Sequence, residues 1–389
     1  MGQYLNPGND GFASMIKGKY VDKTGLIHYI NKTLGTTEKL TCVSRPRRFG
    51  KSYATKMLCA YYDISCDSRK LFEGMAISEC EDFEKHLNRY HVIYLDMTSF
   101  IKERSRQSED MIDRMQEAVI RELRDAFPEV EVKQDLPDAL AVIAEKTGNK
   151  FVFIIDEWDM VFREMTDKEL QDKYILLLRR LFKNSGYTDK MIEAAYITGI
   201  LPIKKYGTQS AMTDFLEYTM LRPGPLKEYV GFTEQETRDL FAASPLEFEE
   251  AKAWYDGYLF GTDTHIYSPK SVIDALRFEE FGNYWTQSET YESLKLYIDM
   301  NFDGLKEAIM DLLANQPYTI NPITFQNDMT TICNKDDVLT LLVHLGYLSY
   351  NSRNRMVTIP NEEVRSEFIT AVENGNKREL IQLIKATRV

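Results

Sequence analysis

Leu-Thr-Cys-Val-Ser-Arg-Pro-Arg-Arg-Phe-Gly-Lys-Ser, residues 40–52, is the stretch on which the fold depends. Its first five residues form a mostly apolar run with the length of a buried strand, and residues 45–48 have the composition of a turn. A helical pattern begins near Gly50 and continues through residues 51–62. Strand, turn and helix in this order present free backbone N–H groups and the positive end of a helix dipole, which together suit an anion.

The Gly-Lys-Ser tripeptide matches the end of the phosphate-binding P-loop, G-x-x-x-x-G-K-[ST]. In that loop the backbone cradles phosphates, the lysine reaches the β- and γ-phosphates, and the hydroxyl binds Mg²⁺. Arg45 replaces the first glycine of the pattern. A basic surface turn before an amphipathic helix would explain the tripeptide equally well when it is taken alone. The predicted ATP-binding residues are Arg45, Pro46, Arg47, Arg48, Phe49, Gly50, Lys51, Ser52 and Tyr53.

A second apolar run, Phe-Val-Phe-Ile-Ile at residues 151–155, ends in Asp156 and Glu157. Open α/β sheets bind ligands outside the carboxyl ends of their strands, so these carboxylates and the loop are expected at one edge. We predict that Asp156 and Ser52 hold Mg²⁺, that Lys51 neutralises the phosphates, and that Glu157 polarises the attacking water. A strand ending in a solvated acidic turn is the alternative for this segment alone. The two motifs together favour the nucleotide site.

Residues 40–200 alternate between strand and helix, which predicts a parallel sheet with helices on both faces. Because one strand separates the two motifs along the chain and a glutamate follows the aspartate, the pattern resembles the additional-strand, catalytic-glutamate class of P-loop ATPases. Thr198 ends the fourth strand, where it is predicted to contact the γ-phosphate or the water. A threonine satisfied at a strand end is an equally good interpretation. The predicted strands are residues 40–44, 91–97, 151–155 and 194–200, and the predicted helices between and around them are residues 51–62, 110–126, 136–147 and 174–184.

The alternation is lost after about residue 210, which predicts a change of domain. A helix at 335–345, a glycine and two short strands at 347–351 and 356–360 indicate a helix followed by a hairpin, typical of a winged helix. The predicted domains are a P-loop ATPase core at 1–210, a helical lid region at 211–312, and a winged-helix-like domain with a C-terminal helix at 313–389.

Composition excludes several classes of protein. The formal net charge of −12 gives no overall steering towards nucleic acid. The five cysteines and five histidines show no metal-ligand spacing along the chain, and the N-terminus has no apolar leader. No run approaches the roughly 18 apolar residues that a membrane span requires. We therefore expect a cytoplasmic protein with free thiols and no membrane partner.

Six motifs resemble the bacterial AAA-ATPase-like family: YVDKT (20–24), RPRRFGKS (45–52), IIDE (154–157), TGILP (198–202), GFTEQE (231–236) and WYDGY (254–258). The resemblance covers most of residues 1–370, and an arginine in place of the first loop glycine is usual for that family. Members often carry a PD-(D/E)XK nuclease-like domain after the ATPase. The C-terminal residues show no E-x-K motif after an acidic strand, so that domain is expected to be absent here.

The resemblance implies a Mg²⁺-dependent ATPase that drives a conformational switch in DNA-related or mobile-element-related processes. Asp22, within the first motif, is predicted to approach the adenine or ribose, with a salt-bridged surface turn as the alternative. The competing function is a nucleotide-gated protein-interaction module with little intrinsic turnover. A homo-oligomer or a protein partner is left open, and DNA binding with a vestigial nucleotide site is the third, least favoured reading.

Overall fold

A computed structural model describes residues 2–373 except 102–110, 166, 184–185, 187, 204–211, 213, 262, 286–290, 301 and 327–331. Its contacts divide the chain into two units. The first comprises residues 1–44 and 51–218, and the second comprises residues 45–50 and 219–389. The first six residues of the predicted ATP-binding segment 45–53 therefore belong to the second unit. The proposed division of the C-terminal part at residue 312 stays a prediction.

The first unit contains five strands and ten helices within the described residues. The strands are β1 Leu40–Ser44, β2 His91–Asp96, β3 Phe151–Asp156, β4 Ile192–Gly199 and β5 Leu216–Tyr218. The helices are α1 Asp10–Met15, α2 Gly25–Thr33, α3 Lys51–Tyr62, α4 Arg69–Phe72, α5 Phe83–His86, α6 Met111–Ala126, α7 Leu136–Thr147, α8 Met160–Glu164, α9 Lys168–Phe182 and α10 Thr188–Met191. Short 3₁₀ turns lie at Ala76–Glu79 and Met97–Phe100.

All five strands run parallel, in the order β2-β3-β4-β1-β5. Alternate residues of the strands, such as Cys42, Phe153 and Ile197, join the core formed with α6, α7 and α9. On the other face, α3 packs against β2, β3 and β4. The sheet is therefore covered by helices on both faces, as the apolar strands predict. Strand β4 lies between the loop strand β1 and the carboxylate strand β3, which is the additional-strand arrangement.

The predicted strands agree with the structure within two residues, and α3 and α7 begin and end where predicted. Helix α9 begins six residues before the predicted start at 174, because Asp167 caps its N-terminus by accepting the N–H groups of Glu169 and Leu170. The short strand β5 has no prediction. Residues 110 and 184, the predicted limits of two helices, lie outside the described residues.

The second unit contains, within its described residues, two small antiparallel sheets and seven helices. The strands are β6 Phe232–Thr233, β7 Tyr258–Phe260, β8 Thr264–Tyr267, β9 Tyr318–Thr319, β10 Ser349–Asn351 and β11 Met356–Thr358. The helices are α11 Glu234–Ala242, α12 Phe248–Tyr255, α13 Pro269–Phe278, α14 Tyr291–Ile298, α15 Leu305–Leu313, α16 Lys335–Leu345 and α17 Glu362–Glu373.

The predicted helix–hairpin is present as α16, β10 and β11, and β9 adds a third strand to it in the order β10-β11-β9. The winged-helix assignment stays a prediction. Of the predicted C-terminal helix, residues 374–389 lie outside the described residues. The other sheet has the order β6-β8-β7. Gly257, in the WYDGY motif, has a φ of 108°, and a Cβ there would lie 1.9 Å from the Pro360 carbonyl oxygen. That position requires glycine.

Among the described residues, no helix is both long enough and apolar enough to cross a bilayer.

Candidate nucleotide site

The strand ends place three polar side chains, those of Asp96, Asp156 and Thr198, at one edge of the parallel sheet. Asp96 pairs in register with Asp156, and Val43 pairs with Thr198 one residue before β1 ends. Lys51 and Ser52 begin α3, which follows β1 after the six-residue loop. We call Lys51, Ser52, Asp156, Glu157 and Thr198 the carboxylate edge. All five belong to the first unit. Asp96 is used locally, since it caps the following 3₁₀ turn by accepting the Thr98 N–H.

Asp156 lies at the centre of the carboxylate edge and is almost fully buried. The hydroxyls of Thr198 and Ser52 both donate hydrogen bonds to its carboxylate. Burial raises the pKa of Asp156 above its usual range, while the two hydroxyls and the Lys51 ammonium oppose that rise. A buried carboxylate beside a hydroxyl at a helix start is an oxygen donor set that suits Mg²⁺. The residues present therefore fit the metal that the sequence predicts.

Glu157 follows Asp156 in a left-handed conformation, with φ of 53°. A non-glycine residue in this region costs about 1 kcal/mol, so the turn is held by its surroundings. The Lys51 ammonium lies 3.3 Å from one Glu157 carboxylate oxygen, and the Arg163 guanidinium forms an ion pair with the other. Lys51 is only 4% exposed. A lysine this buried is stabilised by its carboxylate partner.

Two residues outside the prediction complete this charge network. Asp159 is fully buried, accepts the N–H groups of Ile200 and Leu201, and forms an ion pair with Arg163 at 2.9 Å. Burial raises the pKa of Asp159, and the Arg163 charge opposes that rise. The i, i+4 spacing of Asp159 and Arg163 on a short helix was the available signal. It was missed because such pairs are also common on solvated helix faces.

The predicted loop residues 45–50, which we call the arginine loop, pack with the second unit. Arg45 is fully buried, and its guanidinium carbon lies 4.7 Å from the centre of the Phe260 ring. Phe49 is also fully buried and packs edge-to-face on Tyr258, with ring centres 5.2 Å apart. Cation–π and edge-to-face aromatic contacts of this kind each contribute about 0.5–2 kcal/mol. The loop is therefore held by aromatic packing.

Backbone conformation distinguishes the other loop positions. Arg48 has φ of 66° and Gly50 has φ of 92°, so two left-handed residues flank Phe49. Apart from the adjoining residues, no heavy atom of the described part of the chain lies within 4 Å of a Cβ placed on Gly50, so the left-handed conformation is the reason for a glycine there. Pro46 is buried, and Arg47 is partly exposed. Tyr53, in the first turn of α3, is 50% exposed.

Asp22 has structural partners in the first unit. One carboxylate oxygen accepts the N–H and the hydroxyl of Thr24, and the other accepts the N–H of Ala76. The side chain thus ties the start of α2 to the 3₁₀ turn at Ala76–Glu79. Its predicted role beside the adenine or ribose stays a prediction.

Similarities to known proteins agree with this architecture. Residues 8–208 match the family model described as Predicted AAA-ATPase, which is more than half of the chain. No curated protein matches the chain.

Solved structures with a similar fold include the ORC2 protein of Aeropyrum pernix in ADPNP–ADP complexes (12% identity, TM-score 0.40, 95% of this chain and 97% of that one). The replication initiator DnaA bound to AMPPCP and single-stranded DNA is a second (9% identity, TM-score 0.34, 95% of this chain and 93% of that one). The ORC1 protein of Aeropyrum pernix in complex with DNA is a third (11% identity, TM-score 0.32, 98% of this chain and 100% of that one). At such identities and TM-scores these similarities carry no inference about function.

The family match covers β1 to β4 and the whole carboxylate edge, and this chain accordingly belongs to the AAA-ATPase-like family.

Proposed function

We propose that the protein binds Mg²⁺-ATP and hydrolyses it, and that the change of nucleotide state drives a conformational switch. The observation that carries the proposal is the position of Asp156. It lies buried at the end of a central parallel strand and receives hydrogen bonds from Ser52 and Thr198. The Lys51–Glu157 ion pair at 3.3 Å supplies a cation for phosphates and a carboxylate for water. Membership of the AAA-ATPase-like family supports the same activity.

Each residue of the carboxylate edge then has one task. Lys51 exchanges Glu157 for the β- and γ-phosphates. Ser52 and Asp156 would hold Mg²⁺, which supplies charge neutralisation for the phosphates.

Glu157 accepts a proton from a water molecule as the oxygen of that water attacks the γ-phosphorus. The bond from that phosphorus to the bridging β-phosphate oxygen breaks, leaving ADP and inorganic phosphate. Thr198 is proposed to orient the water or the γ-phosphate. Its hydroxyl already lies against Asp156 at the same strand edge. The chemistry therefore uses the first unit for proton transfer and metal binding.

A single-turnover assay tests the proposal, with protein in excess over labelled ATP and Mg²⁺. ADP formed by the wild type and not by Lys51→Ala supports hydrolysis at this site. ATP that is bound but not cleaved would replace hydrolysis with the alternative, a nucleotide-gated module that holds a protein partner. Equal ADP formation by both proteins would show that the activity belongs to another site or to a contaminant.

Glu157→Gln tests the proposed base. We expect this variant to bind ATP and to cleave it at least about a hundredfold more slowly, within the usual contribution of general base catalysis. Cleavage at the wild-type rate would remove Glu157 from the mechanism and leave ATP binding untouched. The control is Glu164→Gln, which removes a carboxylate that is 50% exposed at the end of α8, the short helix that follows Glu157.

The partner of the switch is proposed to be a second copy of the chain or another protein. The DNA-related role that the family resemblance implies also stays a proposal. It is tested by DNA binding of Lys51→Ala as a function of salt, because phosphate contacts make affinity fall steeply with salt. Absent binding at low salt would exclude DNA as a direct ligand of this chain.

A further inference from the structure

Glu157 is held by two buried cations that approach different oxygens of its carboxylate. Lys51 lies 3.3 Å from one oxygen, and Arg163 pairs with the other. Arg163 is only 7% exposed although it carries a full charge. Arg163 also pairs with Asp159, so the two cations face two carboxylates in this network. Glu157 therefore keeps a cation beside it if one of the two moves away.

Arg163 is fixed to a second carboxylate besides Glu157. Lys51 begins α3 and forms its ion pair with Glu157 from there. Arg163 is anchored a second time, because its Nε lies 2.9 Å from the Asp159 carboxylate. Asp159 is in turn fixed to the end of β4 by the N–H groups of Ile200 and Leu201, at 3.0 and 2.7 Å.

We propose that Arg163 is a positioning residue, which retains the Glu157 carboxylate when Lys51 turns from Glu157 to the phosphates of ATP. This inference rests on the proposed function, since it assumes that Lys51 is the phosphate-binding lysine. Without Arg163, Glu157 would lose a buried cation at the step in which it must hold a water. Lys51 would also be bound more tightly by Glu157 before ATP arrives, because Glu157 would no longer share its charge with the Arg163 guanidinium.

The side chain suits this task because it is an arginine. Its planar fork reaches Asp159 with Nε and Glu157 with a terminal nitrogen at the same time. A lysine has a single charged nitrogen on a flexible stem and would not fix the two carboxylates in this geometry. Burial lowers the pKa of Arg163, but the carboxylates of Asp159 and Glu157 outweigh burial and raise it above its usual range. Its charge is therefore constant during turnover, unlike a group that could release its proton.

The test is a double-mutant cycle on ATP affinity and single-turnover rate, using Arg163→Met, Glu157→Gln and the combined variant. Arg163→Met is expected to weaken ATP binding about fivefold and to slow cleavage at least about tenfold. In the Glu157→Gln background the same substitution should change neither quantity by more than about twofold, because the residue acts through Glu157. Arg163→Lys should recover part of the rate.

Thermal unfolding of each variant separates this proposal from a structural role. If Arg163 only stabilises the fold, Arg163→Met would lower the unfolding temperature and weaken ATP binding equally in both backgrounds, which would overturn the proposal. If Arg163→Met does not fold, the comparison of Arg163→Lys in the two backgrounds gives the same decision. Glu164→Gln removes an exposed carboxylate 3.5 Å from the same guanidinium and should leave rate and affinity unchanged.

Failure of the proposed function has a different signature. A wild type that binds ATP without cleaving it contradicts hydrolysis, yet the affinity part of the cycle still decides whether Arg163 acts through Glu157. A wild type that cleaves ATP while Arg163→Met cleaves it equally fast contradicts the Arg163 proposal alone. A wild type that binds no ATP overturns both.

Discussion

The arginine loop ends at Gly50, and the next residue, Lys51, is the first of the carboxylate edge. The two sets of residues are nevertheless stabilised by different forces. The carboxylate edge consists of charges and hydroxyls at strand ends, and its stability depends on mutual pairing, as in Lys51–Glu157. The arginine loop contains two fully buried side chains, Arg45 and Phe49, both in contact with aromatic rings. The loop also belongs to the second unit, while the carboxylate edge belongs to the first.

We therefore expect the carboxylate edge to determine ATP binding and hydrolysis, and the arginine loop to determine stability. Substitutions in the carboxylate edge should change ATP affinity or rate with modest effects on folding. Substitutions in the arginine loop should act on folding first, because they remove buried contacts. The side chains of Arg45 and Phe49 contact aromatic rings, and their part in ATP binding stays a prediction.

Phe49→Ala should show the largest effect, a loss of about 3–5 kcal/mol in the free energy of unfolding, because it empties a fully buried aromatic position. Tyr53→Ala is the matched control, since Tyr53 is 50% exposed and should change stability by less than about 0.5 kcal/mol. Denaturant unfolding followed by far-UV circular dichroism measures both. Similar losses in the two variants would contradict the structural role of the loop.

Glu363 is a buried carboxyl group of the second unit that neutral hydrogen-bond donors hold, whereas cations hold Glu157 in the first unit. Its carboxylate accepts the N–H groups of Tyr284 and Trp285 and the hydroxyl of Ser271. Burial nevertheless raises the pKa of Glu363 from 4.5 to about 7. The folded protein thus holds this proton more tightly than the unfolded chain does, and the resulting stability is present below pH 4.5 and lost as pH rises through 7.

Wild type should therefore lose about 3 kcal/mol relative to Glu363→Gln between pH 4.5 and pH 8, at 1.36 kcal/mol per unit of pKa shift. Glutamine keeps the shape and an acceptor for the two N–H groups, and it cannot ionise. Urea unfolding of both proteins across this pH range measures the difference. Parallel pH profiles would show that Glu363 does not titrate in this range.

Lys51→Ala should weaken ATP binding about a hundredfold, or about 2.7 kcal/mol, because it removes the proposed phosphate cation. Lys56→Ala, on the same helix but outside the carboxylate edge, is the control and should bind ATP normally. Isothermal titration with a non-hydrolysable ATP analogue gives both affinities. If the two variants bind equally well, the carboxylate edge is not the phosphate site.

The smallest expected change is at Thr198. Thr198→Val removes the hydroxyl that donates to Asp156 while keeping the shape, and should slow single-turnover cleavage about tenfold, or about 1.4 kcal/mol. Thr198→Ser keeps the hydroxyl and should remain within about twofold of the wild type. A valine variant as fast as the serine variant would assign Thr198 a purely structural hydrogen bond.

The sequence alone determined four of the five parallel strands and the longer helices of the first unit, together with the polar residues at the ends of β3 and β4. Apolar runs such as residues 151–155 and the strand–turn–helix order at residues 40–62 are local signals, and local periodicity is sufficient to specify elements of this length. The edge also followed, because parallel strands that alternate with helices have their carboxyl ends on one side. The sequence also predicted helix α16 and its hairpin, because a helical apolar pattern at residues 335–345 ends at Gly346 and two short apolar segments follow.

Only the tertiary structure decided which unit holds the arginine loop and which cation holds Glu157. The partners of Arg45 and Phe49 lie more than 200 residues away in sequence, at Phe260 and Tyr258, and no local pattern encodes such contacts. The role of Arg163 was equally hidden, because an Asp–Arg pair four residues apart reads the same on a solvated helix as in a buried network. Burial is a property of the whole chain, and it is burial that turns this pair into part of the site.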